Sequence, residues 1–320
     1  MYVEKLKDLE EWDLFVEKSD NGRIFHTSRW LETVSKLRKL NYEIYVIKNK
    51  AGEIIGGFPI TYRKFFRWYI SIHPRLTPYL GAVVRINNKK NRSEYYTKQK
   101  KILKTLSDYL RDLPKIFLYS RFSPEIKDMQ AFLWNNFQTI VRYTYILNLS
   151  SDIETIWKNF SSSRRRDIKK GKKDNITVYA VQDLDTLLEL IESTYGHKNE
   201  KPDFLSELKV ITKTFENYRI FVSKKGNVNL GGVFVLWDSR QSYYLTGGVN
   251  RENPHHSAMA LAMWESIKFC KAIGLNYFDF EGSSIPQIER FFRGFGGDLI
   301  PYYAILYSPL GKISPYSRIY

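Results

Sequence analysis

Two stretches of this chain echo each other, and the echo restricts its fold more than any other feature. Asn41-Tyr42-Glu43-Ile44-Tyr45-Val46-Ile47-Lys48 returns as Asn217-Tyr218-Arg219-Ile220-Phe221-Val222-Ser223-Lys224. A turn signal follows each copy, Lys50-Ala51-Gly52-Glu53 in one and Lys225-Gly226-Asn227 in the other. Gly56-Gly57-Phe58 is then matched by Gly231-Gly232-Val233-Phe234. Another strand, a helix and a strand are predicted after each copy. The offset is about 175 residues, far longer than any solenoid period. Chance similarity of two Lys-ended hairpins is the alternative, since hairpin strands share composition. The pattern predicts a duplicated α/β domain, residues 1–150 and 151–320.

A chain of 320 residues has room for two such domains, each with its own core. The hydrophobic fraction of 43%, with 23 Tyr and 20 Phe, fits a globular protein. No apolar run approaches the roughly 20 residues of a membrane helix. The first residues, MYVEKLKDLEEWDLF, mix charges from the start and lack the apolar core of a signal peptide. The single cysteine, Cys270, falls inside a predicted helix and reads as a small buried apolar residue. These points together predict a cytoplasmic protein, with the inner face of the membrane as a second place. The net charge of +16 attracts polyanions: nucleic acid, anionic lipid or phosphorylated substrates. A Lys-rich surface that serves only solubility stays open as the alternative.

Residues 243–297 parse as strand, polar loop, helix, strand and helix. The helix spans 258–272, with Ser257 available as its cap and Gly274 marking its end. Alternation along the strand 276–281 puts Tyr277, Asp279 and Glu281 on one face and Phe278 and Phe280 on the other. A parallel strand–helix–strand unit opens its ligand crevice at the strand ends. Two carboxylates and Gly282-Ser283-Ser284 stand there. Elsewhere, helices are expected over 125–136 and 152–160, and the segment 161–173 is the most basic of the chain. The tail after Pro309 reads as irregular.

Several motifs in order resemble the Fem-type proteins. They are His26-x-Ser28-x-Trp30, Gly56-Gly57-Phe58-Pro59-Ile60, Pro78-Tyr79-Leu80-Gly81, Arg164-Arg165-Arg166-x-Ile168-Lys169-Lys170-Gly171, and Phe278-Asp279-Phe280 followed by Phe292-Arg293-x-Phe295-Gly296. Fem-type proteins are peptidoglycan-bridge aminoacyltransferases with relatives in the GNAT acyltransferase superfamily. The resemblance covers nearly the whole chain. It implies an α/β fold of tandem GNAT-like domains, mixed sheets flanked by helices, and transfer of an acyl group to an amine. The donor implied is aminoacyl-tRNA or acyl-CoA, as a co-substrate and not a permanently bound cofactor. The acceptor implied is a peptidoglycan or polysaccharide precursor of the cell envelope. An acyl-CoA-dependent N-acetyltransferase of an amino sugar or lipid precursor stays open, as does a non-catalytic module binding RNA or a membrane surface. The chain departs from the family at Phe292-Arg293, where the family reads Phe-Lys, and it has no stretch for the long helical arm of some members.

Candidate site residues follow from chemistry. An attacking amine must lose a proton, so Asp279 and Glu281 are candidate bases, and neighbouring carboxylates push one pKa upward. The alternative pairs Asp279 with a core arginine and leaves Glu281 solvated. Arg293 is the candidate for a developing oxyanion or a donor phosphate, a role the family's lysine suggests; otherwise it is a surface arginine. Arg164, Arg165, Lys169 and Lys170 are expected to grip an anionic partner, such as tRNA or a nucleotide- or lipid-linked precursor. Helical placement is expected to spread that basic run around its axis. Tyr79, Tyr244 and Phe292 are candidates for the substrate cleft. The loop before the helix 258–272, with Arg251, His255, His256 and Ser257, is the donor-binding candidate. It has no glycine, contains Pro254, and carries Glu252, which would repel phosphate. That counts against ordinary CoA binding. Adjacent histidines without a carboxylate cluster make a poor metal site, so no metal is expected. Peripheral membrane association and the oligomeric state stay open on the sequence.

Overall fold

In the computed structural model, which describes residues 1–87, 91–196, 199–282, 284–309 and 311, the echo becomes a repeated order of elements. The first repeat runs β1 (Tyr2–Lys5), α1 (Leu9–Lys18), α2 (Ser28–Arg38), β2 (Asn41–Lys48), β3 (Ile54–Phe65), β4 (Trp68–Ser71), β5 (Val83–Val84), α3 (Arg92–Asp112), β6 (Lys115–Arg121), α4 (Gln130–Leu133) and β7 (Gln138–Asn148). Two helices follow, α5 (Ile153–Asn159) and α6 (Ser162–Lys173). The second repeat runs β8 (Thr177–Val181), α7 (Asp185–Gly196), α8 (Leu205–Thr214), β9 (Tyr218–Lys225), β10 (Val228–Trp237), β11 (Gln241–Val249), α9 (Ala258–Ala272), β12 (Tyr277–Asp279), α10 (Pro286–Arg293) and β13 (Asp298–Tyr307). Among the described residues, α5 and α6 have no counterpart in the first repeat.

The glycine doublets of the echo have a packing cause. A Cβ on Gly56 would lie 2.5 Å from Ile102 of α3, and one on Gly57 2.4 Å from Trp12 of α1. The second doublet meets Met259 of α9 at 3.2 Å and Leu187 of α7 at 3.0 Å. Each doublet marks where helices press on both faces of a sheet, which a larger side chain would hold apart.

The chain divides into two compact units, Met1–Arg142 with the chain from Pro301 onward, and Tyr143–Ile300. In the first, strands run in the order β1-β2-β3-β4-β6-β13, with β5 beside β3. In the second the order is β7-β12-β11-β10-β9-β8. Each sheet is mixed: β4 and β6 pair parallel, as do β11 and β12. The expected division at residue 150 therefore differs from these units. The strand that ends the first repeat, β7, pairs with β12, and β13 pairs with β6. A strand edge left unpaired would expose its amides and carbonyls, and these long-range pairings close both.

Three local expectations change. The helix over 125–136 shrinks to α4, because the Asp128 side chain takes the Gln130 N–H at 3.0 Å and competes with helix formation. Ser257 stands at the start of α9 but makes no side-chain cap bond. The strand expected to reach Glu281 ends at Asp279. Ser283 and the tail from 312 lie outside the described residues.

Candidate active site

Within the second unit, β11 and β12 pair only from Gln241–Tyr277 to Tyr243–Asp279. Beyond that point β11 continues to Val249, while Phe280 gives its N–H to the Tyr145 carbonyl at 3.0 Å. The chain thus stays with β7 and leaves β11. A crevice opens at the C-terminal ends of the parallel pair, where α/β sheets bind ligands. Glu281 and Gly282 turn the chain there with φ of 57° and 68°. A side chain at Gly282 would reach 1.9 Å from the Tyr143 carbonyl. Glu281 holds a left-handed conformation that costs a non-glycine residue about 1–3 kcal/mol. Asp279 is fully buried, and its Oδ1 accepts from the Thr144 hydroxyl at 2.5 Å and from the Glu281 N–H at 2.8 Å. The two carboxylates are therefore unequal. Asp279 fixes the turn from inside, and half-buried Glu281 stands at its bend. The turn breaks the alternation that the sequence predicts for this pair.

Tyr244 follows the last paired residue of β11. Burial pushes its phenol above the ordinary range, and the Glu281 carboxylate and Tyr195 add to the shift. Its ring lies 5.4 Å from Phe292. Phe292 itself is buried against Phe280 at 5.6 Å, so it backs Tyr244 from the core and is not a cleft residue. Arg293 is 61% exposed and bonds Glu289 at 3.1 Å, one turn back on α10. Glu289 also accepts from the Tyr145 hydroxyl at 2.6 Å. Tyr79 lies in the first unit, fully buried, its ring 5.4 Å from Tyr302 and 6.5 Å from Phe25. It is a core residue there, which corrects its assignment to the substrate cleft.

The basic run forms α6, capped by the Ser161 hydroxyl, which accepts the Arg164 N–H at 3.2 Å. Its inner stripe is Arg164, Ile168 and Gly171. A Cβ at Gly171 would meet Leu261 at 2.2 Å and the Ser257 Cβ at 2.9 Å, so α6 lies directly on the start of α9. Arg164 stacks on Phe291 at 4.1 Å and donates to the Phe291 carbonyl at 3.1 Å. Burial pulls its guanidinium below the ordinary range. Arg164 thus anchors α10 and is withdrawn from the anion grip. The outer stripe is Ser162, Arg165, Arg166, Lys169, Lys170 and Lys173, lining an open hollow of about 490 Å³. Steps of three and four residues gather these cations on one side, where the sequence predicts scatter around the axis. Arg165 also donates to the carbonyls of Lys158 at 2.5 Å and Phe160 at 2.9 Å.

Asp174 ties this stripe to the loop before α9. Its Oδ2 lies 3.2 Å from Lys170 Nζ and 3.1 Å from His255 Nε2. The Lys170 hydrogen bond, with that of His255, holds its carboxyl below the usual range. His255 Nδ1 accepts the Ser257 N–H at 3.2 Å, and its ring stacks on His256 at 5.1 Å. Asn250 Oδ1 takes the N–H groups of Glu252 and Asn253 at 3.0 and 2.9 Å, and the His255 carbonyl takes that of Ala258 at 3.0 Å. Arg251 is exposed, with its N–H on Ser193 Oγ at 3.0 Å. The loop's amides are thus largely satisfied internally, unlike a glycine loop whose amides point at an anion. Among the described residues, no group of three or more His, Cys, Asp or Glu gathers to hold a metal. Thr144, Asp174 and Glu289 have no local sequence signal; only the sheet register and helix packing bring them in.

Residues 158–292 match the model of the acetyltransferase (GNAT) domain family. No curated protein matches the chain. Among solved structures, the chain is similar to FemX at 15% identity and a TM-score of 0.71, covering 94% of this chain and 96% of that one. It is also similar to the C-terminal domain of a putative lysylphosphatidylglycerol synthetase from Agrobacterium fabrum, at 12% identity and a TM-score of 0.57, covering 92% of each chain. A tandem GNAT protein from the clavulanic acid biosynthesis pathway is similar at 9% identity and a TM-score of 0.51, covering 98% of this chain and 99% of that one. At these identities the likeness is one of fold, and the fold is the tandem GNAT arrangement expected from the sequence.

Proposed function

We propose that this chain, a GNAT acyltransferase over residues 158–292 within a tandem GNAT fold, moves an acyl group from a phosphate-bearing carrier to an amine of an anionic cell-envelope precursor. The amine nitrogen attacks the acyl carbonyl, a C–N bond forms, and the bond to the carrier's sulfur or oxygen breaks. Glu281 takes the amine proton, because the turn that Asp279 fixes holds it at the mouth of the crevice. Tyr244 stays protonated beside it and supplies a hydroxyl proton for the leaving atom.

The observation that carries this reading is the outer stripe of α6. Its five cations stand on α6, which among the described residues has no counterpart in the first repeat, and Asp174 joins the stripe to the loop before α9. The family match favours acyl-CoA as the donor. A second reading, aminoacyl-tRNA, is favoured by the loop whose amides are bonded internally and by an open stripe suited to a longer phosphate chain.

Calorimetry of the purified protein with acetyl-CoA and with bulk charged tRNA, at two salt concentrations, tests it. Tight, salt-resistant CoA binding assigns the acyl-CoA donor. Binding of tRNA that weakens steeply with salt, and that the double variant Lys169→Glu/Lys173→Glu lowers at least tenfold, assigns the aminoacyl donor. Failure of both carriers to bind, or binding of each that ignores the charge reversal, overturns the role of α6.

A further inference from the structure

The hairpin of β3 and β4 closes at Phe65 opposite Trp68, leaving Phe66 and Arg67 as its tip. Phe66 is 83% exposed and Phe65 58%. Single exposed apolar residues are ordinary, but two adjacent phenylalanines at a protruding tip are not. Arg63, Lys64 and Arg67 beside them are exposed too, and the Arg67 guanidinium lies 5.3 Å from the centre of the Trp68 ring.

The tip is also strained. Phe66 adopts φ of 53°, the left-handed region that a bulky residue avoids. The hairpins of β2 with β3 and of β9 with β10 place glycine at the bend. Gly52 takes φ of 82° between β2 and β3, and Gly226 takes 58° between β9 and β10. The hairpin of β10 and β11, which the repeat makes the counterpart of β3 and β4, has the polar tip Asp238-Ser239-Arg240, and Asp238 accepts the Arg240 and Gln241 N–H groups at 2.9 and 3.0 Å. The fold therefore tolerates a polar tip at this place, yet the first repeat carries Phe-Phe-Arg. Phe66 contributes little to the core at that exposure, so its strain is not offset by packing within the chain. Charge points the same way. From Ile54 to Ser93 the sequence has no Asp or Glu and eight Lys or Arg.

We propose that this hairpin tip docks the protein on an anionic phospholipid bilayer. Phe65 and Phe66 enter the boundary between headgroups and acyl chains, with Trp68 at headgroup level, and Arg63, Lys64 and Arg67 meet lipid phosphates. A nucleic acid would be met by the same cations, but Phe65 and Phe66 add an apolar component that survives high salt.

The test is co-sedimentation of the full chain with vesicles of phosphatidylglycerol and phosphatidylcholine, and of phosphatidylcholine alone, at low and high salt. The protein partitions onto the anionic vesicles and retains part of that binding at high salt. Phe65→Ser/Phe66→Asn lowers partitioning at least tenfold without lowering the melting temperature, since Asn suits the left-handed bend. In a separate Phe66→Cys variant, a polarity-sensitive dye shifts to the blue on adding anionic vesicles; Cys270 is buried, so the label reports the tip alone. Wild-type partitioning by the double variant, or an unshifted dye, overturns the proposal. So does a change in the oligomeric mass of the double variant without loss of vesicle binding, because the tip would then meet a second copy of the chain.

Discussion

Asp279 and Glu281 differ by one methylene and two positions, yet the chain treats them oppositely. Asp279 is buried and bonded to Thr144 and the Glu281 amide, whereas Glu281 sits on a left-handed bend beside Tyr244. Glu281→Gln should lower kcat by roughly 10²–10⁴, the usual worth of a general base, with KM and melting temperature near those of the parent. Asp279→Ala should instead lower the melting temperature, since leaving the Thr144 hydroxyl and the Glu281 amide without their buried acceptor costs about 1–3 kcal/mol. Full turnover by Glu281→Gln, or an unchanged melt for Asp279→Ala, would reverse the roles. A different residue sets the acid limit. His26 is buried with Nδ1 accepting the Arg23 N–H at 3.1 Å, and burial lowers its pKa to about 3. Unfolded, it takes a proton near pH 6.5. The unfolded state therefore binds more protons between these values, and stability falls as pH drops through that window, by at most about 1.4 kcal/mol per pH unit. His73 is shifted in the same direction, by burial first and then by Arg121. Melting temperatures from pH 7 to pH 4 should decline, and His26→Gln should flatten the slope; a slope unchanged in that variant would remove His26 as a cause.

At the level of elements, α6 shows what a sequence reveals and what it hides. The basic run was legible as a run, but the gathering of residues 162, 165, 166, 169, 170 and 173 on one helical side was not, since the sequence predicted scatter around the axis. Gly171 looks like a weak point in such a helix. Its replacement by Ala would gain about 0.8–1 kcal/mol of helix propensity in isolation. The structure reverses that expectation, because the new Cβ would stand 2.2 Å from Leu261 and 2.9 Å from the Ser257 Cβ. Gly171→Ala should therefore destabilise, by about 1–3 kcal/mol of overpacking less the propensity gain, in a denaturant melt. A stabilised variant would mean that α6 does not rest on α9. The link from α6 to the loop was not legible. Asp174 and His255 lie 81 positions apart, and Thr144 and Asp279 lie 135 apart, so no local pattern announces either contact. The motif His26-x-Ser28-x-Trp30 was visible but carries structure: Ser28 bonds Asp13 at 2.5 Å and Trp30 Nε1 bonds Thr77 at 3.0 Å.

For the molecule as a whole, the duplication was readable because each copy preserves strand composition, turn residues and glycine doublets. The exchange of final strands was not, because β7 and β13 look alike as apolar strands and nothing in either names its partner. That exchange makes a testable claim about folding. The first sheet is completed by β13, where Ala304, Ile305 and Leu306 are buried and pair with Arg121, Ser120 and Tyr119. Residues 1–150 alone would lack that strand and expose the β6 edge, a template for aggregation. They should express as insoluble material or melt without cooperativity. Residues 1–142 joined through a flexible linker to a segment carrying Asp298–Tyr307 should be soluble and melt as one transition. Sedimentation and calorimetry of the two proteins decide between them, and a cooperative, monomeric 1–150 would refute the requirement for β13. The same connectivity bears on the intact chain. Its first sheet waits for β13, so the N-terminal half cannot reach its final form before residues 298–307 are made.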